Sequence, residues 1–303
     1  MLLPPGGNAR VNRDRLVMTI ASPTTASINE ENLRQAITIT QQNFRAGVGQ
    51  AGILDVGFIG NTSEVYPWEP SLIVDIDICL FVRRKDVELG SWLIGVREDL
   101  QRQLNKLGAD FELKVTRGPY KPASWRLPRP VAIAHVAVFT EEGYAQQPLL
   151  LRWSWRKYRC VMEPARLSNC AGQPPDWPDL KELVKRKLAR IQNEQVEMTE
   201  WELPAFVEVT RQFDCHHPVF AEYCLAGSLL CARTHARVLR RTEADRLPNR
   251  IFVEWYRQQV LDIAALTDLM RLKDQTHELG YDGLMPAVRD KALQYLGELF
   301  THV

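Results

Sequence analysis

Asp75 and Asp77 lie two residues apart inside Leu72 to Phe81, a run in which every other side chain is apolar. So short a run, rich in isoleucine and valine, reads as a strand with a buried face. In a strand, residues two apart share a face, so both carboxylates point the same way. Like charges that close repel, and an apolar strand also strips their hydration. A divalent cation relieves both penalties, and Mg²⁺ favours carboxylate oxygens together with substrate phosphates. The plainer alternative is a strand whose polar face happens to hold two aspartates.

The flanking sequence favours the cation. Ile53 to Ile59 reads as a second strand, followed by the turn residues Gly60-Asn61-Thr62-Ser63 and the irregular Pro67-Trp68-Glu69-Pro70. A glycine after a strand lets backbone N–H groups approach phosphate oxygens. Upstream, Ser27 and Glu30 form a capping box for a helix carrying Leu33, Ile37, Ile39 and Phe44, which ends near Gly47 and Gly49. Downstream, Val87 to Leu107 is an amphipathic helix with Leu89, Trp92, Val96, Leu100 and Leu104 on one stripe. Two further strands follow, Phe111 to Thr116 and Val131 to Phe139, joined by the Pro- and Arg-rich Gly118 to Pro130. This order implies an α+β chain with a mixed sheet and helices on one side.

The residues resemble the DNA polymerase β-type nucleotidyltransferases. That signature is an apolar residue, Gly, usually Ser, nine to thirteen residues, then Asp-apolar-Asp/Glu-apolar. Here Ile59-Gly60-Asn61 is followed by thirteen residues and Asp75-Ile76-Asp77-Ile78. The resemblance covers about residues 27 to 140 and looks closest to the small-molecule branch, such as antibiotic nucleotidyltransferases, because a helical region follows. It implies that Asp75 and Asp77 bind Mg²⁺ or Mn²⁺, and that Gly60, Asn61, Thr62 and Ser63 hold the phosphates of a nucleoside triphosphate. The helix after the catalytic sheet would add Ser154, Arg156 and Lys157 to the phosphates, and the helical region would receive a small-molecule acceptor. Two positions depart from the pattern. Asn61 replaces the usual Ser, and the strand 131–139, where the family places a third carboxylate, has no acid. His135 is its one polar residue, and Glu112 is the acid on the strand before it. Either His135 or Glu112 stands in, or one metal suffices, or activity is lost. A lapsed fold that binds nucleotide or a partner protein is therefore the alternative, along with transfer to tRNA or protein.

From about Asp179 the pattern turns helical, with candidate helices over 179–196, 200–213, 219–239, 248–279 and 286–300. The expected organisation is an arm over 1–26, a catalytic region over 27–171 and a helical bundle over 179–303. Charge sharpens this organisation. The 303 residues carry 38 Lys+Arg against 37 Asp+Glu, a near balance that argues against a dedicated nucleic-acid binder. Between 151 and 191, however, ten basic and four acidic side chains leave a net +6, interleaved at its start with Trp153, Trp155 and Tyr158. The stretch can serve a triphosphate or be a solvated helix face. Glu194, Glu197, Glu200 and Glu202 form an acidic run that reads as a solvated face, or else as a hold for a cationic acceptor. Cys215-His216-His217, Cys224, Cys231 and His235 lack the Cys-x₂₋₄-Cys spacing of structural zinc, so core packing is expected for Cys224 and Cys231. Six scattered cysteines fit free thiols in a reducing cytoplasm. No apolar run is long enough to cross a membrane, and Met1 to Gly7 does not read as a secretory signal.

Overall fold

A computed structural model describes residues 30–59, 73–116, 131–140, 142–143, 175–241, 243–244, 247–279 and 284–303. The described residues start with helix α1 (Glu30–Ala46), whose Ala36, Thr40 and Phe44 are buried. Ser27 of the expected capping box lies outside the described residues. Strands β1 (Ile53–Ile59) and β2 (Ile73–Val82) pair antiparallel. Helix α2 (Val87–Asn105) is capped by Asp86, whose carboxylate accepts from the Leu89 N–H at 3.0 Å. That hydrogen bond holds the Asp86 carboxyl below the usual range. Phe44 meets Trp92 edge-on at 5.8 Å, and Trp92 lies so close to Gly47 that a Cβ there would overlap its ring.

Strands β3 (Asp110–Val115) and β4 (Val131–Phe139) complete a sheet of order β1-β2-β4-β3, with β4 parallel to both neighbours. Ile76, Ile78 and Leu80 of β2, Ala132, Ala134 and Val136 of β4, and Phe111 and Val115 of β3 join the core shared with α1 and α2. Strand alternation then assigns Asp75, Asp77, His135, Glu112 and Lys114 to the opposite face.

The rest is built around helix α4 (Pro218–Val238), buried on nearly every side. Around it are α3 (Trp177–Gln192), α5 (Asn249–Gln259), α6 (Ala264–Leu279) and α7 (Met285–His302). Asp176 and Asp179 close a capping box on α3. Cys224 and Cys231 are buried, as expected for small core hydrophobes. The described residues thus form an α+β fold with a mixed sheet, a small antiparallel sheet and a helical C-terminal region.

Two expected helices are corrected. Residues 200–213 belong to a β-hairpin of β5 (Gln195–Glu202) and β6 (Val207–Asp214), not to a helix. Val196 and Met198 alternate inward at period two, and Pro204 removes the N–H that a helix interior needs. The turn of this hairpin docks on the sheet region. Phe206 enters its core, Trp201 and Leu203 pack beside it, and Thr116 bridges to Glu200. Lys85 Nζ lies 4.3 Å over the Trp201 ring, and Gly90 abuts the Pro204 backbone so closely that no Cβ fits. The expected helix over 248–279 is two helices broken at Val260–Ile263, where Val260 and Leu261 both donate to the Tyr256 carbonyl and Arg257 pairs with Asp262 at 2.9 Å. Phe252, Tyr256, Ile263, Leu266 and Met270 keep helical spacing across that break, because both helices bury against the same core.

Candidate functional site

β2 lies between an antiparallel and a parallel neighbour, and register decides what surrounds its aspartates. Asp77 is paired with Ile59 on β1 and with His135 on β4, and His135 is paired with Lys114 on β3. One row across the sheet therefore reads Ile59, Asp77, His135, Lys114. The next row runs from Asp75 through Ile133 to Glu112. Register partners share a face, so two aspartates, a histidine, a glutamate and a lysine occupy one side of a four-stranded sheet.

His135 is buried, at 4% exposure, with Nδ1 3.7 Å from Asp77 Oδ1; the Asp77 side chain is 36% exposed. The separation is within ionic reach but longer than a hydrogen bond, and a histidine beside a carboxylate is a group that can exchange a proton or bind a metal. β1 ends at Ile59, the register partner of Asp77, so the described part of this strand ends in the aspartate row. Gly60, Asn61, Thr62 and Ser63 themselves lie outside the described residues, as do Ser154, Arg156 and Lys157. Of the expected site residues, Asp75, Asp77, His135 and Glu112 are brought onto one face.

Lys114 belongs to this row and was not foreseen. Its signal was readable, since Asp110, Glu112, Lys114 and Thr116 are polar at every second position of β3. A cation in the row of Asp77 offers charge to an anionic ligand on this face. The acidic run divides as a surface strand does. Glu197 and Glu200 on β5 face Gln212, at 3.1 Å, and Arg211, at 3.4 Å, across the hairpin. Among the described residues no three His, Cys, Asp or Glu side chains converge on a metal position, and the side chain of Asp75 is outside that description. The residue types nonetheless fit a hard divalent cation: Asp75 and Asp77 are two apart on a central strand, and the Asp77 carboxylate is partly open to solvent.

No family profile, no curated protein and no solved structure matches the chain. Within the described residues no helix is long and apolar enough to cross a membrane.

Proposed function

We propose that this chain is a metal-dependent nucleotidyltransferase that moves a nucleoside monophosphate from a nucleoside triphosphate to a hydroxyl of a small-molecule acceptor. The observation that carries the reading is the row in which His135 Nδ1 meets Asp77 Oδ1 at 3.7 Å, on the face that Asp75 shares by register. Asp75 and Asp77 hold Mg²⁺ or Mn²⁺, which when bound neutralises and aligns the phosphates for in-line displacement. His135, beside Asp77 in the row, takes the proton of the attacking hydroxyl. The acceptor oxygen bonds to the α-phosphorus, and the bond from that phosphorus to the bridging oxygen breaks, releasing pyrophosphate. Lys114 and the Gly60 to Ser63 turn compensate the charge of the phosphates. The helical region receives the acceptor, and the cytoplasm is the compartment, in keeping with free thiols at Cys79, Cys215, Cys224 and Cys231.

The second reading, a lapsed fold that binds nucleotide or a partner, is favoured by one observation. The strand paired with Asp77 offers an imidazole where a third carboxylate would be expected. Incubation with each nucleoside triphosphate, Mg²⁺ and a panel of hydroxyl compounds, with tRNA as a further acceptor, separates the readings through pyrophosphate release. Asp75→Asn and Asp77→Asn should each cut turnover by about a thousandfold or more while the protein stays folded. Full activity of either variant defeats the proposal. Calorimetric binding of nucleotide with no pyrophosphate from any acceptor establishes the lapsed reading.

A further inference from the structure

α3 carries one apolar stripe toward the helical core: Leu180, Val184 and Ile191 are fully buried along it. At the spacing where the stripe calls for another apolar side chain stands Lys187, half-buried. Its stem crosses α4 at Gly227, where a Cβ would lie 3.1 Å from Lys187 Cδ, so the glycine is what makes room. The ammonium ends 3.9 Å from the centre of the Tyr223 ring. A ring face attracts a cation but does not neutralise it.

Among the described residues no carboxylate pairs with this ammonium. Arg186 and Arg190 flank Lys187 on α3, and Tyr223, Cys224 and Cys231 face it from α4. Burial pushes the Cys231 thiol up to about 12 and Cys224 higher still, so both stay neutral. Arg289 of α7, which acts on Cys224, is already paired with Glu194 at 2.6 Å. Among the described residues neither Arg186, Lys187 nor Arg190 pairs with a carboxylate. Burial brings Lys187 down to about 8, with the two arginines pushing the same way; it is still mostly charged at pH 7. The Tyr223 hydroxyl is buried without a hydrogen bond of ordinary geometry, although the Arg190 guanidinium lies beside it. A buried hydroxyl left this way costs stability, the half-buried ammonium beside it lacks a counter-charge, and one anionic group would serve both.

We propose that Arg186, Lys187, Arg190 and the Tyr223 hydroxyl form a binding site for a phosphate-class oxyanion between α3 and α4. Lys187 contributes a point charge against the core, Tyr223 donates its O–H, and the exposed Arg186 and Arg190 close over the ligand from the solvent side. This assignment does not depend on the sheet-face reading.

The test uses the full chain without divalent cations. Calorimetry and thermal unfolding are followed with inorganic phosphate, pyrophosphate and ATP, against sodium chloride at equal ionic strength. Wild type should bind and be stabilised. Lys187→Met, which keeps the length of the stem, should fold and lose about tenfold or more in affinity, and Arg190→Gln, at an exposed position, should lose a similar amount. Wild-type affinity should weaken as the pH rises through about 8, while Lys187→Met shows no such step. Binding of phosphate alone assigns the site to a single phosphoryl group. Binding of pyrophosphate or ATP but not phosphate assigns it to a polyphosphate tail. Absence of any response beyond sodium chloride, or equal affinity in both variants and wild type, overturns the proposal.

Discussion

Arg233, in the helical region, is buried yet complete: it donates to the carbonyls of Ala244 at 3.1 Å and Leu247 at 2.8 Å and to Asn249 Oδ1 at 2.9 Å, with its guanidinium 4.2 Å over Phe252. His235 nearby is buried with Nδ1 2.7 Å from the Tyr256 hydroxyl. Asp75 and Asp77, in the sheet region, share a face with Glu112, and Asp77 Oδ1 lies 3.7 Å from His135 Nδ1. Polarity in the helical region ties loops to helices. In the sheet it gathers two aspartates, a glutamate, a histidine and a lysine on one face. Under the proposed function the first kind of polarity serves architecture and the second a ligand.

If that distinction holds, removing each group should have opposite effects. Arg233→Met leaves two carbonyls and an amide oxygen without their donor, and should lower the unfolding free energy by about 4 kcal/mol in urea titration. His235 comes next. Burial, with His302 adding to it, holds its pKa down at about 4. An unfolded histidine takes up a proton below about 6.5, whereas the folded one stays neutral until about 4. Its contribution is therefore complete above pH 6.5, shrinks as the pH falls, and is lost below about 4, by about 3 kcal/mol. Urea titrations at pH 7 and pH 4 should reveal this drop, and His235→Gln should reduce it. Smallest and opposite in sign is Asp77→Asn, which relieves the like charge on β2 and should raise stability by about 1 kcal/mol without metal. A clear loss of stability in that variant would make Asp77 a structural residue like Arg233.

Much of the sheet region was legible because alternation and helical stripes are local signals. β1 and β4 run from Ile53 to Ile59 and from Val131 to Phe139 as expected, and α2 buries Leu89, Val96, Leu100 and Leu104 of its foreseen stripe. The hairpin of β5 and β6 was misread because Glu197, Glu200 and Glu202 resemble a solvated helix face, and what holds Trp201 and Phe206 is a sheet distant in sequence. The break at Val260–Ile263 leaves the apolar spacing intact, so no periodicity betrays it. At the site, the aspartate pair announced itself by charge in an apolar run. His135 was a candidate for its lone polarity, but its place beside Asp77, and that of Lys114, comes from strand order and register, and neither is encoded within a single strand.

The central claim is that Asp75 and Asp77 form a site for a divalent cation with a nucleotide. Electron paramagnetic resonance of Mn²⁺, titrated with the protein in the presence of ATP, measures this directly. Wild type should take up Mn²⁺ with the nucleotide, and Asp77→Asn, still folded, should bind it about tenfold or more weakly. Equal uptake by wild type and Asp77→Asn would contradict it.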